Sequence, residues 1–287
     1  MQAERERNVA STRKPDLGNA NVGIISDFTA YLFGMPFFGL TRLSCRKNDI
    51  RVKFLKQLFI FGRFLQMKSK RLVTTAMLLA IAVILSLIKV FELPFGGSVT
   101  AASMMPVILI AYIYGTKWGI FSAFVYSILQ MLTGMNTVSA FFMPGDSQMA
   151  IPAALGVCLI DYVLAYTALG LGGIFKGKIK NDVLAICLGS VVALLVRYIF
   201  HIISGAIFFG AWADWFFGDA TSGLAQIPAF KNFCDWVLSS FSGNGLSLFY
   251  SVVYNGAYML PEIIITAIVT PVIYKVVKKA NVAEVQK

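Results

Sequence analysis

The sequence predicts an all-α membrane protein, a six-transmembrane-helix bundle whose N- and C-termini are cytoplasmic. Of the 287 residues, 57% are hydrophobic and only 14% are charged. Soluble domains contain about 45–50% apolar and about 25% charged residues. From residue 72 onward, long apolar runs recur, and they approach the ~20 residues that a helix needs to cross a bilayer.

The runs predict six helices whose basic flanks all fall on one side. The predicted ranges are 72–91, 100–115, 118–134, 149–175, 182–210 and 247–274. The basic residues at the shared ends are Lys68, Lys70, Arg71, Lys117, Lys176, Lys178, Lys180, Lys275, Lys278 and Lys279. Cytoplasmic loops collect Lys and Arg, so this side is expected to face the cytoplasm. The net charge of +11 comes largely from basic residues at the ends of apolar runs. This position indicates membrane lipid, and no nucleic acid, as the partner.

Residues 1–66 differ in composition from the rest of the chain. Basic residues outnumber acidic ones there, and the apolar stretches are short or interrupted. Met67 precedes a basic cluster and the first clean apolar run. Two interpretations stand. Met67 is the natural start, and residues 1–66 are a disordered extension that comes from a gene start placed too far upstream. Alternatively, residues 1–66 are a basic arm that rests on anionic lipid. The expected division is 1–66 and a membrane domain, 67–287.

Polar side chains within the predicted helices mark a candidate site, because such residues are costly in a membrane. They are Asp161 and Tyr162 in helix 4, Arg197, Tyr198 and His201 in helix 5, and Tyr250, Tyr254, Asn255 and Glu262 in helix 6. At about 1.5 Å per residue, Asp161, His201 and Asn255 lie at similar depths. We expect them to line one outward-facing cavity, with Tyr250 and Phe209 near its mouth. Such a cavity suits a small, planar, cationic or hydrogen-bonding solute.

A purely structural role for these residues remains an alternative. Asp161 and Arg197 would then form an ion pair between helices 4 and 5, and His201 would bond a backbone carbonyl. This alternative accounts for the charges, but it leaves unexplained the aromatic and amide side chains at the same depth.

The long loop 211–246 also has two interpretations. It carries the aromatic residues Trp212, Trp215, Phe216, Phe217 and Trp236. Tryptophans settle at membrane interfaces, so a short amphipathic helix on the outer surface is favoured over a lid on the cavity.

Other patterns limit the possible functions. Ala76 and Ala80 form a small-residue stripe on helix 1, of the kind that permits close helix contact. A single histidine and four scattered cysteines predict no metal site. The segment from Gly172 to Lys178 resembles a phosphate-binding loop, but Ile179 occupies the position of the required Ser or Thr. No ATPase machinery is expected in this chain.

Four stretches give the chain a resemblance to a known family. They are PFGGSVTAASMMPVILIAYIYGTKWG from Pro94, LIDYVLAYTALGLGGIF around Asp161, RYIFHIISGAIFF around His201, and YSVVYNGAY from Tyr250. In order and spacing over about 67–280, the chain resembles the thiamine-specific substrate-binding subunit, or S component, of energy-coupling factor transporters.

The resemblance implies a high-affinity thiamine-binding protein of the bacterial plasma membrane that catalyses no reaction and has no cofactor. It implies docking onto a shared transmembrane coupling subunit, with ATP used only by two ATPase partner subunits. The implied ligand contacts are Asp161, Tyr162, His201, Phe209, Tyr250 and Asn255, and the implied docking face is Ala76 and Ala80. Alternatives are an S component for another small vitamin or a thiamine precursor, or an intramembrane enzyme using His201 and Asp161.

Overall fold

A computed structural model describes residues 69–93, 97–145, 148–221 and 223–280 of the chain. The predicted extension, 1–66, lies outside these residues. Helices dominate the described part, and a short antiparallel pair of strands, β1 (Lys89–Glu92) and β2 (Ser98–Thr100), forms a hairpin between the first two. The helices are α1 (Ser69–Leu87), α2 (Met105–Tyr114), α3 (Thr116–Thr133), α4 (Met135–Ala140), α5 (Ile151–Gly173), α6 (Asp182–Phe208), α7 (Ala213–Gly218), α8 (Lys231–Ser240) and α9 (Gly243–Lys279).

Four of the described helices, α1, α5, α6 and α9, are long and apolar enough to cross a membrane. The α2 helix has only 10 residues, or about 15 Å at 1.5 Å per residue, against a hydrocarbon core of ~30 Å. The α3 helix has 18 residues but carries the polar Lys117 and Gln130. The predicted count of six spans and the cytoplasmic placement of both termini stay predictions.

The predicted end of helix 1 and the predicted start of helix 2 were wrong. The predicted ranges 72–91 and 100–115 include residues that lie in the strand hairpin, in which Phe91 pairs with Val99. Aromatic and β-branched residues suit a pleated, half-buried strand. The apolar character that suggested a continuous helix is therefore equally compatible with this short hairpin.

The strand hairpin is anchored on α9. The backbone N–H of Thr100 and its hydroxyl both donate to Glu262 Oε1, at 2.5 and 2.6 Å. Gly97 lies so close to the Tyr258 ring that a Cβ at this position would collide with it. The end of β2 thus has a fixed position on α9.

The short α2 helix lies at the centre of the bundle, with all but its first residue buried. Pro106 occupies its first turn, where the missing N–H leaves no hydrogen bond unmade. At its other end, Arg71 donates to Tyr114 O (3.4 Å) and Lys176 donates to Ile113 O (2.5 Å). Cations stabilise a helix C-terminus, although burial lowers the pKa of the Lys176 ammonium.

The same end of the bundle is joined by Asp182 at the start of α6. Its carboxylate accepts from Lys278 Nζ (2.6 Å), Tyr112 OH (3.2 Å) and Tyr274 OH (3.4 Å). These contacts bring the end of α9 and the end of α2 to the start of α6. The basic flanks that the sequence places on one side therefore lie at one end of the bundle.

Glycines allow the helices to approach closely. A Cβ on Gly189 of α6 would collide with the carbonyl oxygen of Gly172 in α5, and a Cβ on Gly170 would collide with the backbone of Ile120 in α3. Such small-residue contacts are typical of helix packing in lipid, where backbones approach each other directly.

Gly189→Ala is therefore expected to lower the free energy of unfolding by about 1–3 kcal/mol through overpacking. Thermal melting of the detergent-purified protein measures the effect. Gly218→Ala is the matched control, because a Cβ there meets only Leu238 Cδ1 at 3.8 Å. Equal melting temperatures for the two variants would contradict the assigned α5–α6 contact.

Candidate ligand-binding cavity

A cavity of about 260 Å³ opens between α3, α4, α5, α6, α9 and the strand hairpin. Its volume is slightly below the roughly 300–1,000 Å³ typical of small-molecule sites. The structure brings all the ligand contacts named from the sequence to its wall: Asp161, Tyr162, His201, Phe209, Tyr250 and Asn255. These contacts come from α5, from α6 and the residue after it, and from α9, and they meet around one space of a size that suits a small molecule.

The α5 helix widens where it reaches the cavity. Residues Cys158–Leu164 form a π-helical turn, and the N–H of Ala165 donates to Ile160 O, five residues back. Asp161 and Tyr162 both lie in this turn and both line the cavity. Single π-helical turns inside α-helices are frequent at functional sites.

Both carboxylate oxygens of Asp161 are hydrogen-bonded by α6. Oδ1 lies 2.9 Å from His201 Nδ1, and Oδ2 accepts from the Ser204 hydroxyl at 2.7 Å. A carboxylate that is largely withdrawn from water in an apolar bundle requires such partners. Asp161 therefore has a fixed orientation at the cavity wall.

The tautomer of His201 follows from its second neighbour. Arg197 Nε lies 3.1 Å from His201 Nε2, and a guanidinium nitrogen can only donate. His201 Nε2 is consequently the acceptor, so the proton of the neutral ring is on Nδ1, where it is donated to Asp161. Asp161, His201 and Arg197 form one hydrogen-bonded chain, which we call the polar triad.

Arg197 is held by neighbours other than a carboxylate. Its Nη1 lies 2.7 Å from Met104 Sδ, and its Cζ lies 4.0 Å above the Tyr166 ring, a cation–π contact. Within the described residues, its charge lies next to no carboxylate at ion-pair distance. The structural alternative of a direct Asp161–Arg197 ion pair was thus wrong, because His201 lies between the two charges.

Asn255 lines the cavity, but its amide already joins α9 to α6. Nδ2 donates to His201 O (3.2 Å) and to Ser251 O (2.9 Å), while Oδ1 accepts from Tyr258 OH at 2.7 Å. The carbonyl of His201 is thereby occupied from the α9 side. In this conformation Asn255 fixes the backbone that carries His201, in addition to lying at the cavity surface.

Aromatic side chains form the wall near α9. The Tyr250 and Tyr254 rings are 5.5 Å apart, and Phe216 of α7 packs behind both, at 5.2 and 5.7 Å. Phe209, at the end of α6, contacts Phe141 at 6.1 Å. Ring faces of this kind attract a cation.

The loop 211–246 supports this wall from behind. No described residue between 211 and 246 lines the cavity, which disfavours the interpretation of this loop as a lid. In α8, Cys234 and Val237 are buried while Trp236 is half exposed. This division of apolar and exposed faces favours the interfacial helix that the sequence suggested.

Several cavity residues were missed by the sequence analysis. They include Lys89, Glu92, Ser98 and Thr100 of the strand hairpin, Gln130 and Thr133 of α3, and Tyr258 of α9. Gln130 carried a usable signal, since an amide within an apolar run requires the same explanation as Asp161. The sequence of the strand hairpin contained no such signal, because the position of the hairpin depends on contacts with α9.

The predicted docking residues lie away from the cavity. Ala76 and Ala80 are exposed on the outer face of α1, beside the exposed apolar side chains Met77 and Ile84. A neighbouring face of α1, with Thr75, Leu79 and Ala82, is buried against the rest of the protein. The small-residue stripe therefore faces lipid or another protein.

Asn255→Leu is expected to destabilise the ligand-free protein by about 1–3 kcal/mol. Tyr258 OH would lose its buried partner, and His201 O would keep only the longer contact from Ser251 Oγ at 3.4 Å. Thermal melting without ligand measures this effect. Asn232→Leu, at an exposed position of α8, is the matched control. A ligand-free Asn255→Leu protein that melts like the wild type would contradict the role of this amide in joining α6 and α9.

Comparison with known proteins places the chain in a family. The family model described as thiamine transporter protein matches residues 72–215, about half of the chain. The thiamine transporter ThiT of Bacillus subtilis is 29% identical over 210 residues, which cover 69% of this chain and 87% of that protein. A solved structure of ThiT from Listeria monocytogenes aligns with a TM-score of 0.49 and 22% identity, over 73% of this chain and 95% of that one. The family match confirms the resemblance found in the sequence, and the chain belongs to the thiamine transporter protein family.

Proposed function

We propose that this chain is the thiamine-binding S component of an energy-coupling factor importer. The observation that carries the proposal is the convergence of Asp161, Tyr162, His201, Phe209, Tyr250 and Asn255 on one cavity in a member of the thiamine transporter family. The chain is a multi-pass membrane protein and, as a transporter, carries out no covalent chemistry. Its proposed location is the bacterial plasma membrane.

The chemistry of the cavity suits thiamine, which joins an aminopyrimidine to a positively charged thiazolium. Asp161 is the anion that the helices place at the wall, whereas Glu92 of the strand hairpin is paired with Lys89. Each carboxylate oxygen can accept more than one hydrogen bond. The oxygens that bond His201 and Ser204 therefore retain capacity for an amino group. Tyr250 and Phe209 offer ring faces to the thiazolium, each contact stabilising it by about 0.5–2 kcal/mol.

The polar triad matters for a cationic ligand, because Arg197 is also inside the cavity wall. A positive charge there would repel thiamine if it were exposed to the ligand. The ring of Tyr166 covers Arg197 at 4.0 Å, and the guanidinium donates to His201 at 3.1 Å. We infer that Arg197 acts on the ligand through His201 and that Asp161 presents the attractive charge.

The proposed topology has six membrane spans, with both termini in the cytoplasm. The basic ends of the helices lie together around Asp182 and the end of α2, and basic residues favour the cytoplasmic side. The short α2 is enclosed by other helices, and re-entrant or short segments are tolerated where protein surrounds them. The cavity then opens away from the basic end, towards the outside.

In this proposal the energy for uptake comes from partner subunits. The exposed stripe of Ala76 and Ala80 is the proposed docking face for the coupling subunit. Small side chains allow two backbones to approach closely. An intramembrane enzyme using His201 and Asp161 is not favoured, because the family is one of transporters.

Asp161→Asn and His201→Ala are each expected to weaken thiamine binding strongly. Loss of one partner from a buried charged hydrogen bond typically costs about 2–5 kcal/mol, or about 30- to several-thousand-fold in affinity. Titration calorimetry on the detergent-purified proteins measures the dissociation constant, with thermal melts run in parallel. Asp214→Asn, at an exposed position of α7, should bind as the wild type does.

A folded Asp161→Asn protein with wild-type affinity would remove Asp161 from the site. Competition by other small vitamins and by thiamine precursors in the same titration tests the ligand itself. Displacement of thiamine by a different vitamin at lower concentration would reassign the substrate.

Replacement of both Ala76 and Ala80 by Trp is expected to abolish thiamine uptake while binding to the purified protein stays unchanged. Bulky side chains would keep the coupling subunit from the α1 backbone. Uptake is measured in cells that express the complete importer. Ile199→Trp, on the exposed face of α6, is the control for a large residue in lipid; normal uptake by the double variant would exclude this face.

A further inference from the structure

Some polar side chains of the cavity already have hydrogen-bond partners within the described residues, and one buried side-chain nitrogen does not. On the α5–α6 side, Asp161 and His201 are already paired within the polar triad. Five buried side-chain atoms in the described part of the chain lack a hydrogen-bond partner: Arg71 Nε, Gln130 Nε2, Thr167 Oγ1, Glu262 Oε2 and Thr266 Oγ1. Of these residues, Gln130 alone lines the cavity.

Gln130 is buried near the end of α3, where it contacts the residues that follow it. Only 7% of its surface is exposed. Its Oε1 is 3.4 Å from the Thr133 hydroxyl, and its backbone carbonyl accepts from the Gly134 N–H at 2.9 Å. The nearby Tyr126 hydroxyl donates to Ala82 O at 3.3 Å, and among the described residues no group reaches hydrogen-bond geometry with Gln130 Nε2. A buried donor left in this way is unfavourable in the empty protein.

We propose that the Gln130 amide is a specificity-determining group that donates a hydrogen bond from α3 to an uncharged acceptor of the bound ligand. The inference deepens the proposed function and rests on it. In thiamine the uncharged acceptors are the pyrimidine ring nitrogens and the hydroxyl oxygen of the side chain. Gln130 faces the ligand from α3, whereas Asp161 and His201 contact it from α5 and α6.

A role of Gln130 in ligand binding and a role in protein stability predict different results for one variant. Gln130→Met keeps an unbranched side chain of similar length and removes the donor. Because the unpaired N–H is removed, the ligand-free variant should melt at the wild-type temperature or above it. Its affinity for thiamine should fall about 5- to 100-fold, the loss expected for an unmade hydrogen bond in a buried site.

A further variant controls for location. Thr266→Val removes a buried hydroxyl that also lacks a partner but does not line the cavity. Its melting temperature should not fall, and its affinity for thiamine should match that of the wild type.

Ligand analogues identify the acceptor. The dissociation constants of wild type and Gln130→Met are compared for thiamine, for an analogue with ethyl in place of hydroxyethyl, and for the two analogues in which one pyrimidine nitrogen is replaced by C–H. The analogue that lacks the bonded acceptor should bind both proteins with nearly equal affinity. The other two should retain the 5- to 100-fold difference.

The outcomes are distinct. Wild-type protein that does not bind thiamine overturns the proposed function and this inference with it. Wild-type binding with an unchanged Gln130→Met affinity overturns the role of Gln130 alone. A ligand-free Gln130→Met protein that melts lower or does not fold, or an affinity difference that persists with every analogue, assigns the amide to the structure of the protein and also overturns it.

Discussion

The fold around the cavity depends on the burial of charge by the polar triad. Arg197 and Asp161 lie inside an apolar bundle, where an unpaired charge is highly unfavourable. His201 connects them, since its Nδ1–H donates to Asp161 and its Nε2 accepts from Arg197. Met104 and Tyr166 complete the surroundings of the guanidinium. One set of contacts therefore fixes the start of α2, the π-helical turn of α5 and the middle of α6.

The α9 helix completes the cavity through side-chain hydrogen bonds to the backbone of α6. Ser251 donates to Ile202 O at 2.8 Å, next to the bond from Asn255 to His201 O. Gly205 permits this approach, because a Cβ there would collide with the Ser251 hydroxyl. The wall that carries the predicted ligand contacts is thus assembled before a ligand enters, and a preformed site loses less entropy on binding.

The sequence alone identified the residues that are costly in a membrane. Asp161, His201 and Asn255 stood out because polar side chains in apolar helices require partners, and all three reach the cavity. Their hydrogen-bond partners were not predictable, because the tautomer of His201 and the use of the Asn255 amide depend on helices far apart in sequence. The strand hairpin was also missed, since Glu262 of α9 anchors it.

The most direct test concerns the single histidine of the chain. Its ring nitrogens can be observed by ¹⁵N NMR in protein purified with a histidine-free tag, without and with thiamine. The account predicts a neutral ring protonated at Nδ1, with Nε2 as acceptor, and shifts that change when thiamine binds. An imidazolium, a ring protonated at Nε2, or spectra that thiamine leaves unchanged would contradict the polar triad as the centre of the binding site.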